Sequence, residues 1–316
     1  MFSDQRNLIL AIVLSLSILL AFEFFYNAPR LQKEAARQQA IEQSLPKTGS
    51  ETGMPSAGHV PSVRPKSGST PGIRPQVSIG ELRAKQLEQS QRITIESPKL
   101  TGTLALTGGQ LDDILLRNYR DQVEADSDNI TMLSPVGAPH PYYVKLGWTA
   151  SDESAGKMPA SDTMWQASTN KLTPQTPVTL TWDNGNGLRF ERTIELDPDY
   201  MFTVRQRVRN NGTTAATLYP YGFIARIDEP PTLGFFILHE GPIGVFNDTL
   251  EEHDYDDLED ATDGRIEVNS TGGWIGITDQ YWLTALVPDQ EQAFSGSFNH
   301  TIQDGRDRYQ VDYIGG

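Results

Sequence analysis

Apolar residues follow two rhythms along this chain, one continuous and one alternating. From Leu8 to Tyr26 the sequence reads LILAIVLSLSILLAFEFFY. At about 1.5 Å rise per residue that run makes roughly 28 Å of helix, close to the thickness of a bilayer's hydrocarbon core. It predicts one transmembrane helix, placed within an anchor over residues 1–27. Ser15 and Ser17 can return their hydroxyls to the helix backbone, and Phe22, Phe24, Phe25 and Tyr26 gather at one end, where rings suit the lipid–water boundary. A cleaved signal peptide is the competing reading, but the run is long for one and no Ala-x-Ala site follows it.

After Arg92 the pattern changes to period-two alternation broken by turn residues, with no sustained helical period. One hairpin is explicit: Val178–Trp182, a turn over Asp183-Asn184-Gly185-Asn186-Gly187, then Leu188–Leu196 with Leu188, Phe190, Ile194 and Leu196 on one face. Asp197-Pro198-Asp199 turns the chain again into YMFTVRQRVRN, which completes a three-stranded meander and sets Glu191 opposite Arg205. Further strands are expected at Arg92–Ser97, Leu100–Gly108, Asn129–Ser134, Thr217–Ile227, Gly272–Asp279 and Tyr281–Pro288. A dozen or so short strands predict an all-β domain over residues 92–316, a large sandwich of two antiparallel sheets.

Between anchor and domain, residues 28–91 are rich in Gln, Pro, Gly and Ser and poor in large apolar side chains, the signature of a disordered linker. Only IGELRAKQLEQSQ (Ile79–Gln91) predicts a short helix. Charge divides along the same line. The whole chain carries a net charge of -15, and residues 93–316 hold fifteen Lys or Arg against thirty-four Asp or Glu. So acidic a domain argues against nucleic acid as a partner. Cysteine is absent, which removes disulfides, thiol catalysis and thiolate zinc sites.

Motifs for chemistry are sparse. His59, His140, His239, His253 and His300 include no pair at the i, i+4 spacing of a helical metal site. His239-Glu240 would pair a base with a carboxylate, but neighbours on a strand point to opposite faces. The acidic run Asp248–Asp260 lacks the ligand spacing of an EF-hand and reads as a charged, mobile loop. Arg205, Arg207 and Arg209 read as a solvated, partly paired face. With no nucleophile elbow, phosphate loop or dinucleotide fingerprint either, no residue is assigned a catalytic, cofactor-binding or metal role. From residues alone this is a binding or scaffolding domain.

Several separated stretches carry a resemblance. They are MFSDQRNLILAIVLSLSILLAFEFFY, Leu111-Asp112-Asp113 leading to Asn118-Tyr119-Arg120, His140-Pro141-Tyr142-Tyr143 leading to Gly147-Trp148, HEGPIGVFNDTLEE, and Gly273-Trp274-Ile275-Gly276-Ile277-Thr278-Asp279 with Tyr281-Trp282. In this order they resemble the N-terminal half of the bacterial membrane protein insertase family YidC. The resemblance implies an inner-membrane protein of a Gram-negative bacterium, with its N-terminus cytoplasmic and the β domain periplasmic. Arg30, Lys33 and Arg37 behind the span point the other way by the positive-inside rule, which is weak for long exported domains. The implied fold is a super-β-sandwich similar to galactose mutarotase.

Implied partners are nascent integral membrane proteins, the lipid bilayer, the ribosome and the Sec translocon with SecD and SecF; no cofactor is implied. Family members continue into an amphipathic helix and five further spans carrying the insertion groove. None of these follows Tyr26 here, so the chain reads as the anchor and periplasmic part of a membrane protein insertase and chaperone. Two other readings stay open. One is a periplasmic carbohydrate-binding or mutarotase-like sugar-processing domain, which would require His140 or His239 beside a carboxylate in a cleft. The other is a membrane-tethered binding protein complete as it stands.

Overall fold

The alternating segments all form strands. A computed structural model describes residues 79–122, 127–151, 155–230 and 238–315. The predicted transmembrane helix and most of the 28–91 linker lie outside these residues. Among the described residues no helix is long and apolar enough to cross a membrane.

The chain begins with α1 (Ile79–Leu87), inside the segment read as linker, and continues through β1 (Arg92–Glu96), β2 (Leu100–Ala105), β3 (Gln110–Arg120), β4 (Asn129–Leu133) and β5 (Tyr142–Ala150). Short β6 (Gln166–Ala167) and β7 (Lys171–Leu172) precede the meander of β8 (Val178–Asp183), β9 (Leu188–Leu196) and β10 (Phe202–Asn210). Next come β11 (Leu218–Ile227), β12 (Gly241–Phe246), β13 (Thr249–Glu252) and α2 (Tyr255–Asp260). The last strands are β14 (Arg265–Thr271), β15 (Gly273–Thr278), β16 (Leu283–Leu286), β17 (Ala293–Gln303) and β18 (Arg306–Gly315).

These strands build one ten-stranded sheet, ordered β14-β17-β18-β11-β5-β3-β2-β1-β7 with β4 on β3, and two four-stranded sheets, β10-β9-β8-β6 and β13-β12-β15-β16. Pairing is antiparallel except for two rungs between β1 and β7. Both small sheets pack on one face of the large one, Trp148 meeting Phe190 of β9 and Phe298 meeting Phe246 of β12. A single apolar cluster runs through all three sheets. The all-β sandwich is therefore correct, with its second layer split in two. Successive register pairs also set both ends of the domain in one row across the large sheet, on strands β1 and β18 with four strands between them. Arg92 lies opposite Ala105, which faces Gln110; beyond it Leu111 meets Val144, Val144 meets Ile224, and Ile224 meets Val311, four residues before Gly315.

Two expectations are corrected. Glu191 faces Arg207, not Arg205, because β10 starts at Phe202 and leaves Tyr200 and Met201 in the turn, where Asp197 Oδ1 accepts the amides of Asp199 and Met201, each at 2.9 Å. The stripe is partly paired nonetheless, Arg205 with Glu195 and Arg209 with Glu191. The acidic run Asp248–Asp260 is not an irregular loop: it forms β13 and then α2. A capping box between Asp254 and Asp257 starts α2, and Tyr255 and Leu258 bury its inner side.

Local motifs acquire physical reasons. A bulge opposite Thr103 and Leu104 makes Asp112 the extra residue on β3, which buries two consecutive carboxylates. Arg92 pairs with Asp112, and Arg83 of α1 pairs with Asp113. Burial raises the Asp112 pKa, with Arg92 opposing it. Gly273 has φ +98, and a Cβ there would lie 1.9 Å from the Val245 carbonyl oxygen. Gly273→Ala is therefore expected to destabilise the domain by about 2–4 kcal/mol, read from the midpoint of urea unfolding.

Candidate functional site

The motif residues converge at the junction between β5, β11 and the end of β15. Tyr142 alternates inward on β5, and Arg226 of β11 stands beside it with the guanidinium 4.3 Å from the Tyr142 ring. Asp279 follows β15 and receives Arg226 in a two-pronged ion pair, Nη1 to Oδ1 at 2.5 Å and Nη2 to Oδ2 at 3.0 Å. Arg226 Nη1 also donates to Tyr255 Oη at 3.2 Å, and Tyr142 Oη donates to the Ile277 carbonyl at 3.3 Å. Burial pulls the Arg226 pKa down, but Tyr255, Asp279 and Tyr142 outweigh it and hold the value above the ordinary one. Burial pushes the Tyr255 hydroxyl up to about 12 against the pull of Arg226, so it stays neutral while it accepts the Arg226 N–H. This is a staple between sheets, built from the HPYY and GITD stretches.

A second polar group is buried deeper. Arg192 occupies an inward position on β9 and is 1 % exposed. Its Nη1 donates to the Gly109 carbonyl at 2.8 Å and its Nη2 to the Leu146 carbonyl, while the guanidinium lies 5.6 Å from the Trp148 ring and 5.1 Å from the Trp165 ring. No carboxylate pairs with it among the described residues. Burial lowers its pKa to about 10, which still leaves it charged at neutral pH. The residue fills the gap where β3 and β5, joined at the single rung Leu111–Val144, separate.

Two grooves open on the described surface. One, of about 470 Å³, runs beside Gly315 and is lined by Tyr219, Asn247, Asn269, Phe294, Ser295 and Ile314 among others. The other, of about 390 Å³, lies between the meander and β11 and is lined by Trp148, Leu188, Gln206, Val208, Asn210 and Leu218 among others. Neither contains a His, Asp, Glu, Lys or Arg side chain. Both offer aromatic and amide surface but no group able to move a proton near pH 7.

The histidines lie elsewhere. His239 Nε2 bonds the Pro242 carbonyl at 3.0 Å and Nδ1 lies 3.7 Å from Asp254, outside both grooves. His140 sits near Arg306 and Asp228, at the opposite end of the large sheet from Gly315. Burial first, then Arg306 and Arg226, lower its pKa against the pull of Asp228. An unfolded His140 therefore takes up a proton below pH 6.5 before the folded one does, so stability falls as pH drops through that region. His140→Gln is expected to flatten that part of the stability–pH curve, measured as urea midpoints between pH 7.5 and 5. His300 lies 2.9 Å from Asp307.

Sequence reasoning missed Arg192, the Arg226–Asp279 staple and the two grooves. Arg192 did leave a signal, a charged residue at an inward strand position between Phe190 and Ile194. The other features join residues too far apart in sequence to be paired by eye.

The model of the YidC periplasmic domain matches residues 92–316. Along 99% of its length the chain is also similar to proteins called membrane protein insertase YidC: 38% identical to that of Methylorubrum extorquens, covering 52% of the relative. For Beijerinckia indica the identity is 41% with 51% of the relative covered, and for Bradyrhizobium diazoefficiens 39% with 51% covered. The chain thus spans about half the length of the curated relatives it matches. A family model that takes in the whole β-sandwich, joined by relatives aligned from end to end of the chain, makes this protein a member of the YidC periplasmic domain family.

Proposed function

We propose that this chain is the anchor and periplasmic part of a membrane protein insertase, in which residues 1–27 hold the β domain at the periplasmic face of a bacterial inner membrane. Residues 28–91 tether the domain, with α1 docked onto it through Arg83 and Asp113. The domain acts as a binding platform that assists nascent membrane proteins, alone or beside the Sec translocon with SecD and SecF, and not as an enzyme. One observation carries the reading: similarity over 99% of the chain to relatives called membrane protein insertases. That neither described groove carries a His, Asp, Glu, Lys or Arg side chain disfavours a sugar-processing role there.

Strand β16 ends the sheet β13-β12-β15-β16, and Tyr281, Leu283 and Val287 around it are 73%, 47% and 58% exposed. An edge strand with apolar side chains suits extended segments of other chains. A photo-activatable residue placed at position 281 or 287 in the full chain, in Gram-negative cells labelled with a short pulse, is expected to capture newly made membrane proteins or translocon subunits. Irradiation that yields no adduct at either position would contradict the platform reading.

A further inference from the structure

We propose that Glu259, His300 and Asp307 form a binding site for a divalent transition metal of the zinc type, clamping α2 to the last hairpin. One donor atom from each residue lies within 4.8 Å of the other two. His300 faces Tyr309 across the β17–β18 hairpin and Ile302 faces Asp307, so His300 and Asp307 fall on the same side of the hairpin, with Nε2 2.9 Å from Oδ1. Glu259 arrives from α2, whose position is fixed by its capping box and by the buried Tyr255 and Leu258.

Tyr309 ties the set together. Its hydroxyl donates to Glu259 Oε1 at 2.6 Å, and its ring lies 5.2 Å from the His300 ring. Such outer contacts orient metal ligands and restrict their rotamers. The His300 side chain is 14% exposed and that of Asp307 34%, which shields the donors while leaving a path for an ion and its water.

The donor set selects the ion class. One imidazole nitrogen with two carboxylates suits zinc and neighbouring transition metals better than magnesium or calcium, which favour all-oxygen shells. Bonds of about 2.1 Å in a tetrahedral arrangement set donors about 3.4 Å from one another, so His300 Nε2 and Asp307 Oδ1 would part slightly from 2.9 Å and rotation of the carboxylates can supply the adjustment. Three protein ligands leave a fourth position for water. The ion would join the acidic segment 248–260 to the β17–β18 hairpin, outside both described grooves.

The test uses the full chain in detergent, stripped with a chelator and titrated with zinc chloride, with calorimetry and a thermal melt as readouts. The expected result is saturable binding with a raised melting temperature, weakened by at least about 10–100-fold, the loss typical of an outer contact, when a direct ligand is removed by His300→Gln or Glu259→Gln, and unchanged by His140→Gln. No saturable zinc binding, or binding that survives both substitutions, would overturn the proposal. Should either variant fail to fold, cobalt(II) titration of the unaltered chain decides. Visible d–d absorption saturating at one equivalent supports the site, and a spectrum without such bands rejects it.

Discussion

Arg192→Ala is expected to destabilise the domain by about 3–5 kcal/mol, among the largest effects of any single truncation here. The argument rests on what the side chain does at the split between β3 and β5. It supplies donors to the carbonyls of Gly109 and Leu146, which a smaller residue would leave buried and without those donors. It also fills space between Trp148 and Trp165, whose rings stabilise a charge that no carboxylate among the described residues balances. Truncation removes the donors, the volume and the ring contacts together. Arg192→Met restores much of the volume but no donor, so it should fall between wild type and Ala. Urea unfolding reads all three, and an Ala variant within 1 kcal/mol of wild type would show that the guanidinium is not what closes the split.

Asp279→Ala is expected to cost about 3–5 kcal/mol for a different reason. The substitution leaves the Arg226 guanidinium buried against Tyr142 without the carboxylate that receives it at 2.5 and 3.0 Å. Replacing both partners together, Arg226→Met with Asp279→Leu, should cost less than the sum of the single changes, because neither charge is then stranded. A double-mutant cycle gives the coupling directly. Additive effects would mean that the pair does not join the large sheet to the β12–β15 layer.

Much of the fold was legible because period-two alternation is a local property. The β8–β9 hairpin shows it, with Leu188, Phe190, Ile194 and Leu196 buried as their spacing demanded. Register was less legible, since it depends on turn geometry. The Asp197 side chain draws Tyr200 and Met201 into the loop, and that shift of the strand start moved Glu191 from Arg205 to Arg207. In the acidic segment, charge density masked Tyr255 and Leu258, whose i, i+3 spacing was the signature of a short amphipathic helix. The groups that staple the sheets were not legible because their members come from strands far apart in the chain. Arg226 meets Asp279 across 53 positions, and Arg192 reaches Gly109 across 83. Composition could flag such residues as candidates but not pair them.

The central claim, a membrane-anchored chain that presents this β-sandwich to the periplasm, is tested most directly by protease accessibility. Cells expressing the full chain are treated with a protease before and after the outer membrane is opened. The account predicts protection in intact cells and, once the outer membrane is opened, cleavage N-terminal to α1 that leaves a resistant fragment of the β domain. A domain that stays protected until the inner membrane is lysed would place it in the cytoplasm and contradict the account.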